Sequence, residues 1–226
     1  MYPMKKQFLL FLVLTIYSLL SVKAQQFEGK TVTQIVMVTD PNAPVSAKDP
    51  IKSTTWVKGS RTRTEMQSPF MGLIVTLADY DKNESVTLMD MMGKKIALVS
   101  TLDDLNKLAG DQGAAALPQN MSCKDTGKTK NILGYTCHEV QCTYATKSGE
   151  QSTMSAWYCK EIAINPKQYA SFAGMPFEYS VQNGRMTMNV TTVEISLEPV
   201  SDSLFTIPEG YVVSTPEEMM KTMHGE

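Results

Sequence analysis

Short segments rich in Val, Ile and Thr, cut at close intervals by turn chemistry, run through almost the whole chain. A chain punctuated this way folds as an antiparallel sheet, with few long helices. Phe27 to Asp40 reads as one long strand, and Asp40 to Pro50, with three prolines, reads as a loop. Lys52 to Val57 and Ser60 to Gln67 flank Lys58-Gly59, a hairpin signal. Met71 to Ala78, Ser85 to Asp90 and Lys94 to Val99 follow, parted by Asp79 to Asn83 and by Met92-Gly93. Strands resume at Ser122 to Thr129, Tyr135 to Tyr144, Gln151 to Tyr158, Phe177 to Gln182 and Arg185 to Leu197, the last two split by Asn183-Gly184. In the final strand the apolar phase runs Met186, Met188, Val190 and then shifts to Val193, Ile195, Leu197. One extra residue near Thr191-Thr192 predicts a bulge, which bends a sheet.

Helical signals are sparse. Thr101-Leu102-Asp103-Asp104 offers a capping Thr and an acidic partner, with Leu105 and Leu108 at helical spacing and an end near Gly110. Thr215-Pro216-Glu217-Glu218 opens a second short helix after a turn at Ile207 to Tyr211. Asn165 to Ala173 is irregular or helix-compatible, and Asp111 to Asn120 is a small-residue connector with no strong period. The expected class is therefore mainly β (α+β).

The first 24 residues have a different character. Lys5 and Lys6 precede an apolar run from Phe8 to Leu20, and Val22-Lys23-Ala24 suits signal peptidase. The run is shorter than the roughly 20 apolar residues a spanning helix needs. Residues 1–24 are expected to be a cleaved signal peptide and 25–226 a single domain, periplasmic or secreted, with no transmembrane span in the mature chain. Losing Lys5, Lys6 and Lys23 from 21 basic residues leaves 18 against 23 acidic ones. That acidic balance argues against nucleic acid or an anionic membrane surface as partner.

All four cysteines, Cys123, Cys137, Cys142 and Cys159, lie in the exported part, where disulfides persist. Their spacing contains no C-x-x-C pair and the only nearby histidine is His138, which disfavours the competing zinc reading. In an antiparallel hairpin, opposed residues lie close enough to bridge. Cys123 opposite Cys142 centres a hairpin between Ile132 and Leu133, and Cys137 opposite Cys159 centres the next on Ser148. Both centres fall in expected turns, so the bridges Cys123 to Cys142 and Cys137 to Cys159 are expected from three possible connectivities.

Catalytic signatures are scarce. His138 and His224 are the only histidines, neither with a plausible triad, and no nucleophile elbow, zinc helix, phosphate loop or calcium loop occurs. The expectation is a protein that is not an enzyme and carries no cofactor. Methionine is in excess: of 16, all but Met1 and Met4 stay in the mature chain. Thioether side chains fill irregular gaps and line surfaces for varied apolar partners. Met219, Met220, Met223 and His224 are also candidate copper(I) ligands, as soft donors grouped on the last helix.

The run Thr126-Gly127-Lys128-Thr129-Lys130-Asn131-Ile132-Leu133-Gly134-Tyr135-Thr136-Cys137, then Ala156-Trp157, then Ser203-Leu204-Phe205-Thr206-Ile207-Pro208-Glu209-Gly210-Tyr211, resembles exported bacterial proteins of the domain of unknown function 4412 family. That family is similar to the periplasmic lipoprotein-carrier (LolA-like) superfamily. The resemblance implies a curved antiparallel half-barrel, its concave side covered by short helices, with an apolar cavity between. It brings no catalytic residues and no ligand-binding positions. The expected function is binding or carrying an apolar small molecule, a lipid or a lipoprotein acyl chain. The alternatives are an envelope-protein partner surface without a small ligand, and copper(I) binding.

Overall fold

Two antiparallel meanders, fused side by side, and one short parallel strand make a sheet of 12 strands among the described residues. The computed structural model describes residues 26–38, 50–68, 72–91, 93–111, 121–145, 149–164, 169, 172–183 and 186–224. The expected signal peptide, the loop at 40–49, the connector at 112–120 and much of the 165–173 stretch lie outside the described residues.

The first meander is β1 (Gly29–Val38), β2 (Ile51–Lys58), β3 (Arg61–Ser68), β4 (Gly72–Asp79), β5 (Glu84–Met91) and β6 (Lys94–Thr101). After α1 (Leu102–Asp111) comes the second: β7 (Ser122–Ile132), β8 (Tyr135–Ala145), β9 (Gln151–Cys159), β10 (Met175–Asn183) and β11 (Met186–Ser196). The two join where β1 pairs with β11 on one side and β2 on the other. A 3₁₀ turn at Asp202–Phe205 and the strand β12 (Val212–Ser214) precede α2 (Pro216–His224). β12 pairs parallel to β6, the one parallel contact among the described strands. Sequence periodicity does not reveal it, because three residues show no alternation and the partner strand is distant in the chain.

Both helix starts follow their capping residues. The Asp104 amide donates to the Thr101 hydroxyl at 3.0 Å. At α2 the exchange is reciprocal, Glu218 N to Thr215 Oγ1 at 3.2 Å and Thr215 N to Glu218 Oε2 at 2.8 Å. Between β10 and β11, Asn183 pairs with Met186, so these strands form the hairpin that the Asn183-Gly184 signal predicts.

Three irregularities bend the second meander. Val32 faces Glu194 but Thr33 faces Thr192, so Val193 is the extra residue of the expected β11 bulge. Met188, Val190 and Thr192 stay buried while Val193 is 38% exposed. On β10 the register shifts between Pro176 and Glu178, leaving Phe177 unmatched. A proline inside a strand is tolerated at such a point because a ladder bond is already lost there. On β7 the register shifts between Asp125 and Thr129, so residues 126–128 face Glu139 alone. The β7–β8 turn is therefore Leu133-Gly134, both with positive φ, one residue later than the cysteine spacing implies. Two extra residues restore the same face, which keeps Cys123 opposite Cys142.

The sheet curves. Tyr169 lies between the arms: it lines a small hollow with Thr31, Thr55 and Val57 of the first meander and packs on the cluster of Val140, Cys142, Met154, Ala156, Tyr158 and Val181 in the second. The face it covers is the inner one. β12 and β7 are the edge strands of the sheet among the described residues, so the result is an open curved sheet.

The roof differs from the expected one. Helix α1 rests mainly on β5 and β6, and α2 on β6. The described residues that reach over the second meander's inner face are Tyr169 and Phe172 of the irregular β9–β10 connection. Aromatic side chains there fill the space without needing a helical period.

The outer face carries the charge and a C-terminal strap. Lys58 donates to the Val200 carbonyl at 3.0 Å and to Asp202 at 2.9 Å. Arg61 also pairs with Asp202 and stacks 4.9 Å from the Phe205 ring centre. Hydrogen bonds from Arg61 and Lys58 hold the Asp202 carboxyl below its ordinary pKa. Tyr211 then packs on Val75, Leu77, Leu88 and Ala97.

Gly29 sits at the join of the meanders with φ of +154°, and a Cβ there would lie 2.0 Å from the Ser196 carbonyl oxygen. Backbone cannot yield as a flexible side chain can. Gly29→Ala should lower stability by about 1–3 kcal/mol, read as a shifted denaturant midpoint with unchanged slope.

Candidate functional site

Opposed residues of an antiparallel pair share a face, so the register lists the inner surface row by row. One row is Thr31, Thr55, Thr64, Thr76 and Thr87, each opposite the next across β1 to β5. Ile195 ends it on β11 and Leu98 on β6. Thr31 is buried, whereas Thr55, Thr64, Thr76 and Thr87 are half-buried. The Thr55 and Thr64 hydroxyls are 3.0 Å apart and bonded. Two residues along the strands, the same face carries Thr33, Ser53, Met66, Ile74, Met89 and Ile96. In the other direction it carries Val57, Thr62, Ala78, Ser85 and Ser100, with Ser85 and Ser100 hydroxyls 2.9 Å apart.

Charge is segregated from this floor. Lys30, Lys52, Lys58, Arg61, Arg63 and Glu65 all alternate to the outer face. On the inner parity of β1 to β6 the one ionisable residue is Lys94, at the β5–β6 hairpin. Half-buried apolar side chains and hydroxyls therefore make the surface available to a ligand.

Three phenols gather at the inner edge of this surface. Burial raises the Tyr169 pKa far above its ordinary value, reinforced by neighbouring Tyr179 and Tyr80. Burial pushes Tyr179 up to about 12. Tyr80 is raised by burial against a smaller opposing effect from its hydrogen bond with Thr62. All three remain neutral hydrogen-bonding groups at physiological pH.

A second hollow lies elsewhere, an open cleft of about 400 Å³ lined by Gln26, Phe27, Glu28, Tyr135, Glu161 and Leu197 among others. Its carboxylates already serve the fold. Glu28 accepts from the Val200 amide at 3.0 Å and Glu161 from the Thr136 amide at 3.4 Å.

The residues singled out by sequence meet different fates. Cys123 and Cys142 form the expected disulfide, which suits an oxidising compartment outside the cytoplasm. Cys137 faces Cys159 in register, as expected, but no bridge joins them: both are free, buried thiols. They pack as small apolar groups with Phe27, Val57, Ile162, Met175 and Phe177. Burial, then neighbouring Cys159 and Glu178, pushes the Cys137 thiol up to about 12. Thiol exchange needs a thiolate, and this environment suppresses it.

His138 is half-buried, with its ring 5.9 Å from that of Tyr158. Met154, Met175 and Met188 are core residues, whereas Met66 and Met89 lie half-buried on the inner floor. Of the copper candidates, Met219 is described, while the side chains of Met220, Met223 and His224 lie outside the described residues. Trp56 and Trp157 both alternate to the outer face, Trp157 beneath Lys130 at 4.4 Å. Sequence reasoning missed the threonine row. The recurring T-x-T and S-x-T spacing at Thr31/Thr33, Ser53/Thr55, Thr62/Thr64 and Ser85/Thr87 was the available signal.

No family model matches the chain, and the search of curated proteins returns no match. Among solved structures, PNGF-II superposes with a TM-score of 0.48 at 17% identity over 87% of this chain, which spans 33% of the PNGF-II chain. The lipoprotein LppX of Mycobacterium tuberculosis gives 0.42 at 9% identity, covering 77% of this chain and 89% of its own. A LolA superfamily protein of Nitrosomonas europaea gives 0.39 at 13% identity, covering 81% and 91% respectively. Scores this low assign neither family nor function, and the fold rests on its own strand pairing.

Denatured without reductant, the protein should accept two alkyl groups, at Cys137 and Cys159, and four once reduced. Replacing Cys123 and Cys142 by Ser should cost about 2–4 kcal/mol. For the tyrosines the sign is set by burial of the neutral phenol. Their contribution is intact below the ordinary tyrosine pKa of about 10 and is lost as pH rises towards the Tyr179 value of about 12. Denaturation midpoints should fall across that window, with phenolate absorbance lagging that of unfolded protein.

Proposed function

We propose that this chain is an exported binding protein, carrying a signal peptide over residues 1–24, that holds an apolar ligand in the periplasm. The ligand is a lipid or a lipoprotein acyl chain, and the protein acts by sequestration without catalysing a reaction. The observation that carries this reading is the inner floor of the first meander. There Met66, Ile74, Met89, Ile96 and Leu98 are half-buried on a curved face whose charged neighbours alternate to the other side.

Apolar surface left partly open inside a curved sheet gains from covering by a hydrocarbon chain, at about 25 cal/mol for each Å² removed from water. Flexible methionines suit a chain of variable shape. The disulfide between Cys123 and Cys142 supports residence in an oxidising compartment. Among the described residues no helix is long and apolar enough to cross a membrane, in keeping with a protein that receives its ligand rather than spanning the bilayer.

Native mass spectrometry of protein purified from its own envelope is the direct test. A co-purifying species released by organic extraction, with the mass of a lipid or acylated peptide, is the expected result. Protein that arrives empty, or loaded with copper, would overturn the reading. Met66→Asp together with Met89→Asp should abolish loading while the far-ultraviolet spectrum stays that of a β protein.

A further inference from the structure

The threonine row gives the inner floor a polarity that a simple hydrocarbon surface would lack. Hydroxyls of Thr55, Thr64, Thr76 and Thr87 lie half-buried along a line that crosses four strands, at the strand spacing of about 4.8 Å. On one side lies the apolar row of Met66, Ile74, Met89 and Ile96, and on the other Thr62, Ser85 and Ser100 are drawn into bonds with Tyr80 and with each other. A hydroxyl pressed against hydrocarbon forfeits hydrogen bonding at a cost of roughly 1–3 kcal/mol. A pure alkyl ligand over this floor would impose that cost several times.

We propose that this inner floor selects a neutral lipid of the acylglycerol class, its ester and hydroxyl oxygens on the Thr55, Thr64, Thr76 and Thr87 row and its chain along Met66, Ile74, Met89 and Ile96. The inference rests on the carrier reading and specifies its ligand. Charge supports the neutral head: from β1 to β6 the inner parity holds no arginine and no acid, and its single lysine, Lys94, is exposed at a hairpin end. A carboxylate or phosphate head on the threonine row would lie without a partner cation beside it, which disfavours its burial strongly. Hydroxyls, in contrast, both donate to ester carbonyls and accept from glycerol hydroxyls. Thr55 and Thr64, already bonded to each other, retain acceptor capacity for that exchange.

The test uses the mature protein and displacement of a neutral solvatochromic dye by 1-oleoylglycerol or by oleate. Wild type should bind the glycerol ester at least about tenfold more tightly than oleate, the size expected for two or three added hydrogen bonds. The triple variant Thr64→Val, Thr76→Val, Thr87→Val keeps shape and strand propensity, and should lose most of that ratio through weaker ester binding. The matching Thr→Ser triple variant should retain it, which separates the hydroxyls from packing. An unchanged ratio in the valine variant, or a wild type that favours oleate, overturns the acylglycerol assignment while leaving the carrier reading standing. If neither compound displaces the dye from wild type, the carrier reading itself fails. Should the valine triple variant not fold, single Thr76→Val decides on the same ratio.

Discussion

Pairing of β1 with β11 is the constraint on which the rest of the molecule depends. Each meander is local: its strands pair with their sequence neighbours, most of them through short turns and two across the longer segments 39–50 and 160–174. The join brings together segments far apart in the chain, and it forms only if Val193 bulges out of the ladder and Gly29 leaves the Ser196 carbonyl room. Once made, it gives the two halves one continuous hydrogen-bonded surface, and the bulges along β11, β10 and β7 bend that surface.

Bending gives the two faces different chemistry. Outside, Lys58, Arg61 and Arg63 bind the strap through Asp202, Val200 and Leu204, and Tyr211 at the end of that strap packs on Val75, Leu77, Leu88 and Ala97. These exposed ion pairs each contribute little alone, but they work with apolar burial over the same stretch. Inside, the second meander is closed by Phe172, Tyr169 and Tyr179, while the first keeps threonine, methionine and isoleucine only partly covered. The molecule therefore has one arm packed as core and one arm that resembles a binding floor.

Much of the fold was legible in the sequence because it is local. Strand and turn signals placed eleven of the strands, Thr101 and Thr215 marked both helix starts, and the phase shift after Val190 located the bulge. Cross-strand arithmetic paired Cys123 with Cys142 and placed Cys137 opposite Cys159. It stopped short of chemistry at the second pair, since register brings two thiols near but their burial decides whether either ionises. β12 was illegible because a three-residue parallel strand depends wholly on a distant partner. The threonine row was hidden for a related reason: its members stand in five different strands, and only the complete register aligns them.

The far edge of the sheet has a consequence of its own. Among the described residues β7 leaves one side of its backbone unpaired, and such a rim is a template onto which another extended chain can dock. Lys124, Lys128 and Lys130 line that strand, Lys128 and Lys130 anchored to Glu139 and Glu178, and residues 126–128 kink it. Positive side chains and a kink both discourage strand addition. A border guarded in this way keeps one copy of the sheet from zipping onto the next.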